Sequence, residues 1–237
     1  MYSRNKVEWM SKLAMDIEWP CTLQPSTQER LLAMAKPIGI RDLEGTLPGI
    51  IYVRSGCLAC YASNVTLDNS IGLLCGTGNW FGSQFIQNYG YSPQVMYESI
   101  RSTRLIYLPT VEIERFSLEN TEVYKFLFFI SQHMGRLSLQ MGSNSLHSLT
   151  SRIIYVLLEL LAKSSDNNKS SPTIKITQQK LSQIVGVSRP RLNEVLQDLV
   201  TSGDISLGRG VIKINDLNEL KNRLHEFHLM FNDPIKN

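Results

Sequence analysis

The stretch QQKLSQIVGVSRPRLNEVLQ, residues 178–197, decides how the rest of the chain is read. Leu181, Ile184 and Val185 fall at helical spacing and give a first helix one apolar face. Ser182 is small at the point where a second helix must pass close. Gly186 can adopt the positive φ of a tight turn, and Val187 plugs the corner. Ser188 is placed to accept a backbone N–H as N-cap of the second helix. Pro190 falls in that helix's first turn, where a missing amide donor costs little. Leu192, Val195, Leu196 and Leu199 form the second inward face. The whole is the pattern of a helix-turn-helix.

The second helix leaves Arg189, Arg191, Asn193, Glu194 and Gln197 on its other side. Arginine can fork onto guanine, asparagine or glutamine onto adenine, and glutamate can accept from cytosine, all in the major groove. Any amphipathic helix turns polar residues outward, so the flanking sequence has to decide. Thr173 to Ile176 reads as a strand and Thr177 as the cap of the first helix. After the second helix, residues 204–207, the tip Gly208-Arg209-Gly210, and Val211 to Ile214 read as a β-hairpin wing. Arg209 is placed to touch a phosphate, with Thr177, Gln178 and Lys180 able to add backbone contacts. Such contacts position a protein on double-stranded DNA without reading sequence.

Upstream, Leu149 to Lys163 reads as a helix, ended by the polar loop 164–172. Phe126, Phe129, Ile130, His133, Leu137 and Met141 recur at steps of three and four and predict a long helix over 120–142. Its stripe needs either the protein's own barrel or the same helix of a second subunit, and the second is favoured, which predicts a homodimer. From Ile38 to Leu108 the runs Gly49 to Val53, Cys57 to Ala62, Ser70 to Cys75, Trp80 to Ile86 and Leu105 to Leu108 lie among many glycines, the texture of a β-barrel or jelly roll. Short amphipathic helices are predicted at 7–17 and 28–35. The expected architecture is α+β: an N-terminal β jelly-roll over 1–118, a dimerisation helix and hinge over 119–148, and a C-terminal winged helix-turn-helix over 149–237.

Bulk properties exclude several classes. A chain of 237 residues, 43% hydrophobic and 19% charged, can bury two cores. Its longest apolar stretches fall short of the roughly 20 residues a membrane span needs, and no secretory h-region opens it, so it is expected in the cytoplasm. A net charge of +3 is too small to identify a nucleic-acid partner. Cysteines 21, 57, 60 and 75 form neither a dense disulfide framework nor a four-thiolate zinc pattern. Cys57 and Cys60 on one strand point to opposite faces about 10 Å apart, beyond disulfide reach, so packed thiols are expected and a thiol sensor is the alternative. No P-loop, catalytic triad order or H-E-x-x-H motif is present, and no enzyme activity, metal or cofactor is expected.

With these pieces in order, the chain resembles the cyclic-AMP receptor protein and fumarate-nitrate regulator (Crp/Fnr) superfamily over nearly its whole length. The resemblance is strongest in residues 174–179, 183–189 and the wing, and weaker in 51–58 and 76–81. It implies a transcription regulator that binds DNA as a homodimer, with RNA polymerase a possible partner and the barrel as seat of an unidentified small-molecule effector. The family's cyclic-nucleotide site has a glutamate after a glycine and an Arg-Ser pair downstream. Ser83 follows Gly82 here, and Gln94-Val95 replace Arg-Ser, so a cyclic phosphate would lack its cation and no response to cyclic AMP is expected. All four histidines, at 133, 147, 225 and 228, follow the barrel, which leaves a cupin-like metal site without ligands. Only Cys21 precedes the barrel, unlike the N-terminal cysteine cluster of iron–sulfur members. The alternative to a DNA-binding regulator is a barrel-based sensor of small molecules or thiol state whose output is protein–protein contact.

Overall fold

The computed structural model describes residues 16–43, 49–63, 70–82, 95–163 and 172–225. The chain forms two compact units: residues 1–56, 75–92 and 102–136 make one, and residues 57–74, 93–101 and 137–237 the other.

The described strands before residue 110 form an antiparallel sheet. Helix α1 (Pro25–Met34) precedes strands β1 (Lys36–Ile38), β2 (Gly49–Ser63), β3 (Ser70–Gly76), β4 (Trp80–Phe81) and β5 (Val95–Pro109). The sheet order is β1-β5-β2-β3, with β4 paired to β2. Antiparallel registers include Pro37 opposite Ile106 and Ile51 opposite Phe81. The runs Gly49 to Val53 and Cys57 to Ala62, read from sequence as separate, are one 15-residue strand. Gly56 lies within it at φ 97°, and a Cβ there would stand 2.2 Å from the Ser102 carbonyl oxygen, so only glycine fits this point of the strand. The remainder of the jelly-roll expectation, the loop 164–171 and most of the helix at 7–17 lie outside the described residues.

Helices α2 (Thr110–Glu119) and α3 (Glu122–Asn144) follow β5. Tyr52, Trp80, Ile106 and Leu108 from the sheet share a core with Leu31 and Leu32 of α1, Ile113 and Phe116 of α2, and Val123, Phe126 and Ile130 of α3. Trp80 is its hub. It lies 4.6 Å from the Tyr52 ring, meets Phe126 edge-on at 5.1 Å, and donates its indole N–H to the Glu18 carbonyl at 2.7 Å. Edge-on aromatic pairs add to the area they bury.

This core corrects the expected face of the long helix. Phe126 and Ile130 do not wait for a second subunit; they are fully buried within their own unit. The apolar side chains α3 leaves exposed are Tyr124, Phe128, Phe129 and Leu139. The stripe read from sequence is therefore the side that its own unit covers at Phe126 and Ile130, with Phe129 exposed at its edge, and Tyr124, Phe128 and Leu139 form a second apolar side opposite it.

In the second unit, helix α4 (Leu149–Ala162) is capped by Ser148, whose hydroxyl accepts from the Ser151 amide at 3.1 Å. Strand β6 (Thr173–Lys175), helices α5 (Gln178–Val185) and α6 (Arg189–Thr201), strands β7 (Ile205–Gly208) and β8 (Val211–Ile214), and helix α7 (Leu217–His225) complete it. The three strands order β6-β8-β7. Ile153 to Leu158 of α4, the inward residues of α5 and α6, and Ile174, Ile205, Ile212 and Ile214 of the sheet fill one core. Cys57, Ala59, Tyr61 and Leu74 belong to that core too. A fully buried leucine or isoleucine stabilises by about 1.5–3 kcal/mol, enough for this many to set the helix arrangement. Among the described residues no helix is long and apolar enough to cross a membrane.

Candidate nucleic-acid interface

The turn between α5 and α6 forms as its residues dictate. Thr177 caps α5, its hydroxyl accepting from the Lys180 amide at 3.2 Å. Gly186 ends α5 at φ 75°, ψ 47°, a left-handed conformation that disfavours any side chain. The Gly186 and Val187 amides both donate to the Ser182 carbonyl, at 2.9 and 3.0 Å. Ser182 is buried, consistent with a small residue between the helices.

One local expectation fails. Ser188 is the N-cap of α6 by backbone, its carbonyl accepting from the Leu192 amide at 3.0 Å, but its hydroxyl makes no cap hydrogen bond. A cap side chain bonds the N2 or N3 amide. Here N2 is Pro190, which has no N–H, so half of that opportunity is gone.

Leu192, Val195, Leu196 and Leu199 are buried, and Ser188, Arg189, Arg191, Asn193, Glu194 and Gln197 are exposed on the other side of α6. Gln178 of α5 reaches across, its amide donating to the Asn193 side-chain oxygen at 3.3 Å. The wing is a two-stranded hairpin with Ile205 opposite Ile214 and Gly208 opposite Val211. Arg209 is exposed at its tip, beside Gly210 at φ 69°. The Ile176 amide donates to the Gly210 carbonyl at 3.0 Å and ties the tip to the strand leading into α5. Thr177 is exposed, and Gln178 and Lys180 are half-buried. Lys180 is engaged within the protein: its ammonium lies 2.6 Å from a Glu98 carboxylate oxygen and donates to the Ser99 carbonyl at 3.3 Å.

Sequence reasoning passed over Arg152. From α4 its guanidinium donates to the Val185 carbonyl at 2.6 Å, satisfying a carbonyl at the C-terminal end of α5. Burial, and then the charge of Arg191, pull its pKa below the usual guanidinium range. Nothing local in the sequence marks this contact, since 33 residues separate the partners.

The other candidate chemistries find less support. Cys57, Cys60 and Cys75 are buried thiols, and burial pushes the half-buried Cys21 thiol up, away from the thiolate that reactivity needs. Among the described residues no group of three or more histidines, cysteines or carboxylates could hold a metal ion. Ser83, Gln94 and His228 lie outside the described residues.

Residues 151–223 match the model of the Crp-like helix-turn-helix domain. No curated protein matches the chain in sequence. Among solved structures, one similar fold is a Crp/Fnr-family protein from Eubacterium rectale, 18% identical, with a TM-score of 0.67 over 84% of this chain and 94% of that one. The c-di-GMP responsive global regulator CLP of Xanthomonas campestris is 17% identical, with a TM-score of 0.65 over 81% of this chain and all of that one. TTHA1359, a Crp/Fnr-family transcriptional regulator from Thermus thermophilus, is 22% identical, with a TM-score of 0.59 over 79% of this chain and 96% of that one. At these identities the likeness is one of fold.

Proposed function

From a chain that carries a Crp-like helix-turn-helix domain at residues 151–223 and has the fold of the Crp/Fnr transcription regulators, we infer a sequence-specific DNA-binding regulator that acts as a homodimer. The observation that carries this reading is α6. It buries four aliphatic residues and exposes Arg189, Arg191, Asn193, Glu194 and Gln197, side chains whose donors and acceptors match base edges. In the major groove these residues read bases. Arg209 at the wing tip and the hydroxyls of Thr177 and Ser188 contact phosphates, which hold the register. The Ser188 hydroxyl makes no cap hydrogen bond, so phosphate contact costs it no bond within the helix cap.

The homodimer reading rests on α3. Tyr124, Phe128 and Leu139 are 56%, 57% and 73% exposed on a 23-residue helix whose opposite side is already buried. Apolar side chains in that number on one helix favour a matching surface, and a second copy supplies it with two-fold symmetry. Two copies of α6 then address successive major grooves of a pseudo-palindromic site. The departures at Ser83 and Gln94 favour regulation without cyclic AMP. The cytoplasm is the compartment that this function requires, and RNA polymerase and an unidentified effector are its further partners.

Recovery of genomic fragments by purified protein at moderate salt tests the reading, with an Arg189→Ala/Arg191→Ala double variant as control. A shared two-fold motif lost in the variant supports it. The same fragments recovered by both proteins would refute it.

A further inference from the structure

Lys180 sits on the first helix of the helix-turn-helix, where an ammonium can meet a DNA phosphate, yet it is held inside its own unit by β5. Glu98 presents one carboxylate oxygen to the lysine at 2.6 Å, and the neighbouring Ser99 carbonyl accepts a second hydrogen bond at 3.3 Å. The other carboxylate oxygen of Glu98 accepts from the Tyr61 hydroxyl of β2. Tyr61 is buried, and burial together with the Glu98 charge raises its pKa, so it stays a phenol that donates. Both carboxylate oxygens are therefore used, one by a fixed neutral donor and the other by the cation. The Lys180 and Glu98 side chains are each about one-third exposed, at 33% and 32%, so the pair lies within reach of a competing anion.

The attachment is not confined to one ion pair. Arg101, three residues along β5 from Glu98, donates to the Lys163 carbonyl at the end of α4 at 3.0 Å. Met96 and Ile100 of the same strand pack against the core that α5 and α6 share. Strand β5 is thus fixed to the end of α4 and to the core behind the helix-turn-helix, on both sides of Glu98.

We propose that the Tyr61–Glu98–Lys180 contact is an autoinhibitory latch in which Glu98 takes the place of a DNA phosphate on Lys180. The inference rests on the DNA-binding reading and adds its regulation. While Glu98 holds the ammonium, the first helix lacks one phosphate contact and a carboxylate stands where phosphate would approach. A movement of β5 that withdraws Glu98 returns Lys180 to the DNA. Tyr61 is a positioning residue, because it keeps the carboxylate aimed at the lysine.

The test is a set of full-length variants, Glu98→Gln, Lys180→Gln and the double variant, titrated with the motif duplex and a random duplex across salt. Glu98→Gln should tighten binding to both duplexes alike, since phosphate contacts carry no sequence information. The gain should be about tenfold at low salt, and should shrink by about 3.5-fold as salt rises fourfold, the signature of one added phosphate contact. In the Lys180→Gln background the gain should vanish. Tyr61→Phe should give a smaller gain of the same kind.

A gain that persists without Lys180 would mean that Glu98 merely repels DNA, and would overturn the latch. So would unchanged affinity in Glu98→Gln when the wild type binds its motif. Absence of binding by wild type and Glu98→Gln alike would instead remove the DNA-binding reading, and the latch with it. Motif binding that Arg189→Ala weakens while Glu98→Gln leaves it unaltered separates the two failures.

Discussion

Replacing Asp204 by alanine should loosen the wing. Its carboxylate is 4% exposed and lies 2.7 Å from the Arg223 guanidinium of α7, while the Ser202 hydroxyl donates to it. Removing one partner of a fully buried pair costs about 3–5 kcal/mol. Arg223 is 35% exposed and can recover water, and the Ser202 hydroxyl can turn its one proton to the Asp198 or Leu199 carbonyl, so about 2 kcal/mol is expected. Asp204→Asn retains an oxygen acceptor but not the charge, and should lose about half as much. The assay is amide hydrogen exchange of α6, β7 and β8, where about 2 kcal/mol corresponds to roughly 30-fold faster exchange in the alanine variant. Protection within about twofold of wild type in the alanine variant would show that this buried pair does not hold the wing.

Thr177→Ala should destabilise the second unit by about 1 kcal/mol through loss of the α5 cap, whereas Ser188→Ala should stay within about 0.5 kcal/mol of wild type, since no cap bond is lost; urea unfolding of both variants separates the two residues. Glu122 accepts from the Thr27 hydroxyl and the Gln24 amide at the start of α1, bonds that hold its carboxyl below the usual carboxylate range. A depressed folded-state pKa gives stability that is present above the unfolded value and lost as pH falls through the folded one. Glu122→Gln should therefore flatten the acid limb of the stability curve, and an unchanged limb would contradict this. Phe128→Glu should raise the dimer dissociation constant by about tenfold or more, as expected when a central aromatic contact is replaced by a buried charge; sedimentation of both proteins at equal concentration would show it, and an equally tight dimer would move the interface off α3.

The DNA-binding unit was largely legible in the sequence because its signals are local. A threonine cap, a left-handed glycine and inward leucines at helical spacing each act within a turn or two, and all fall where they were read. Ser188 was misread because the amide missing from Pro190 offsets the usual capping preference. The helix α3 and its stripe were found, but not what covers Phe126 and Ile130, since nothing local in the sequence shows that Trp80 and the sheet meet them. Strand β5 was seen only from Leu105 to Leu108, because in its first half Glu98, Ser99 and Arg101 interrupt the apolar residues Met96, Tyr97 and Ile100. Contacts such as Arg152 to Val185 and Glu98 to Lys180 join residues 33 and 82 positions apart, and no local pattern records them.

The central claim is that α6 reads sequence while the wing reads only the backbone. The most direct measurement compares Arg189→Ala and Arg209→Ala on the recovered motif and on random duplex at one salt concentration. Arg189→Ala should lose about 1–3 kcal/mol on the motif, with relaxed preference at one base position, and little on random DNA. Arg209→Ala should weaken both duplexes alike. Equal losses on the two duplexes for Arg189→Ala would contradict the account.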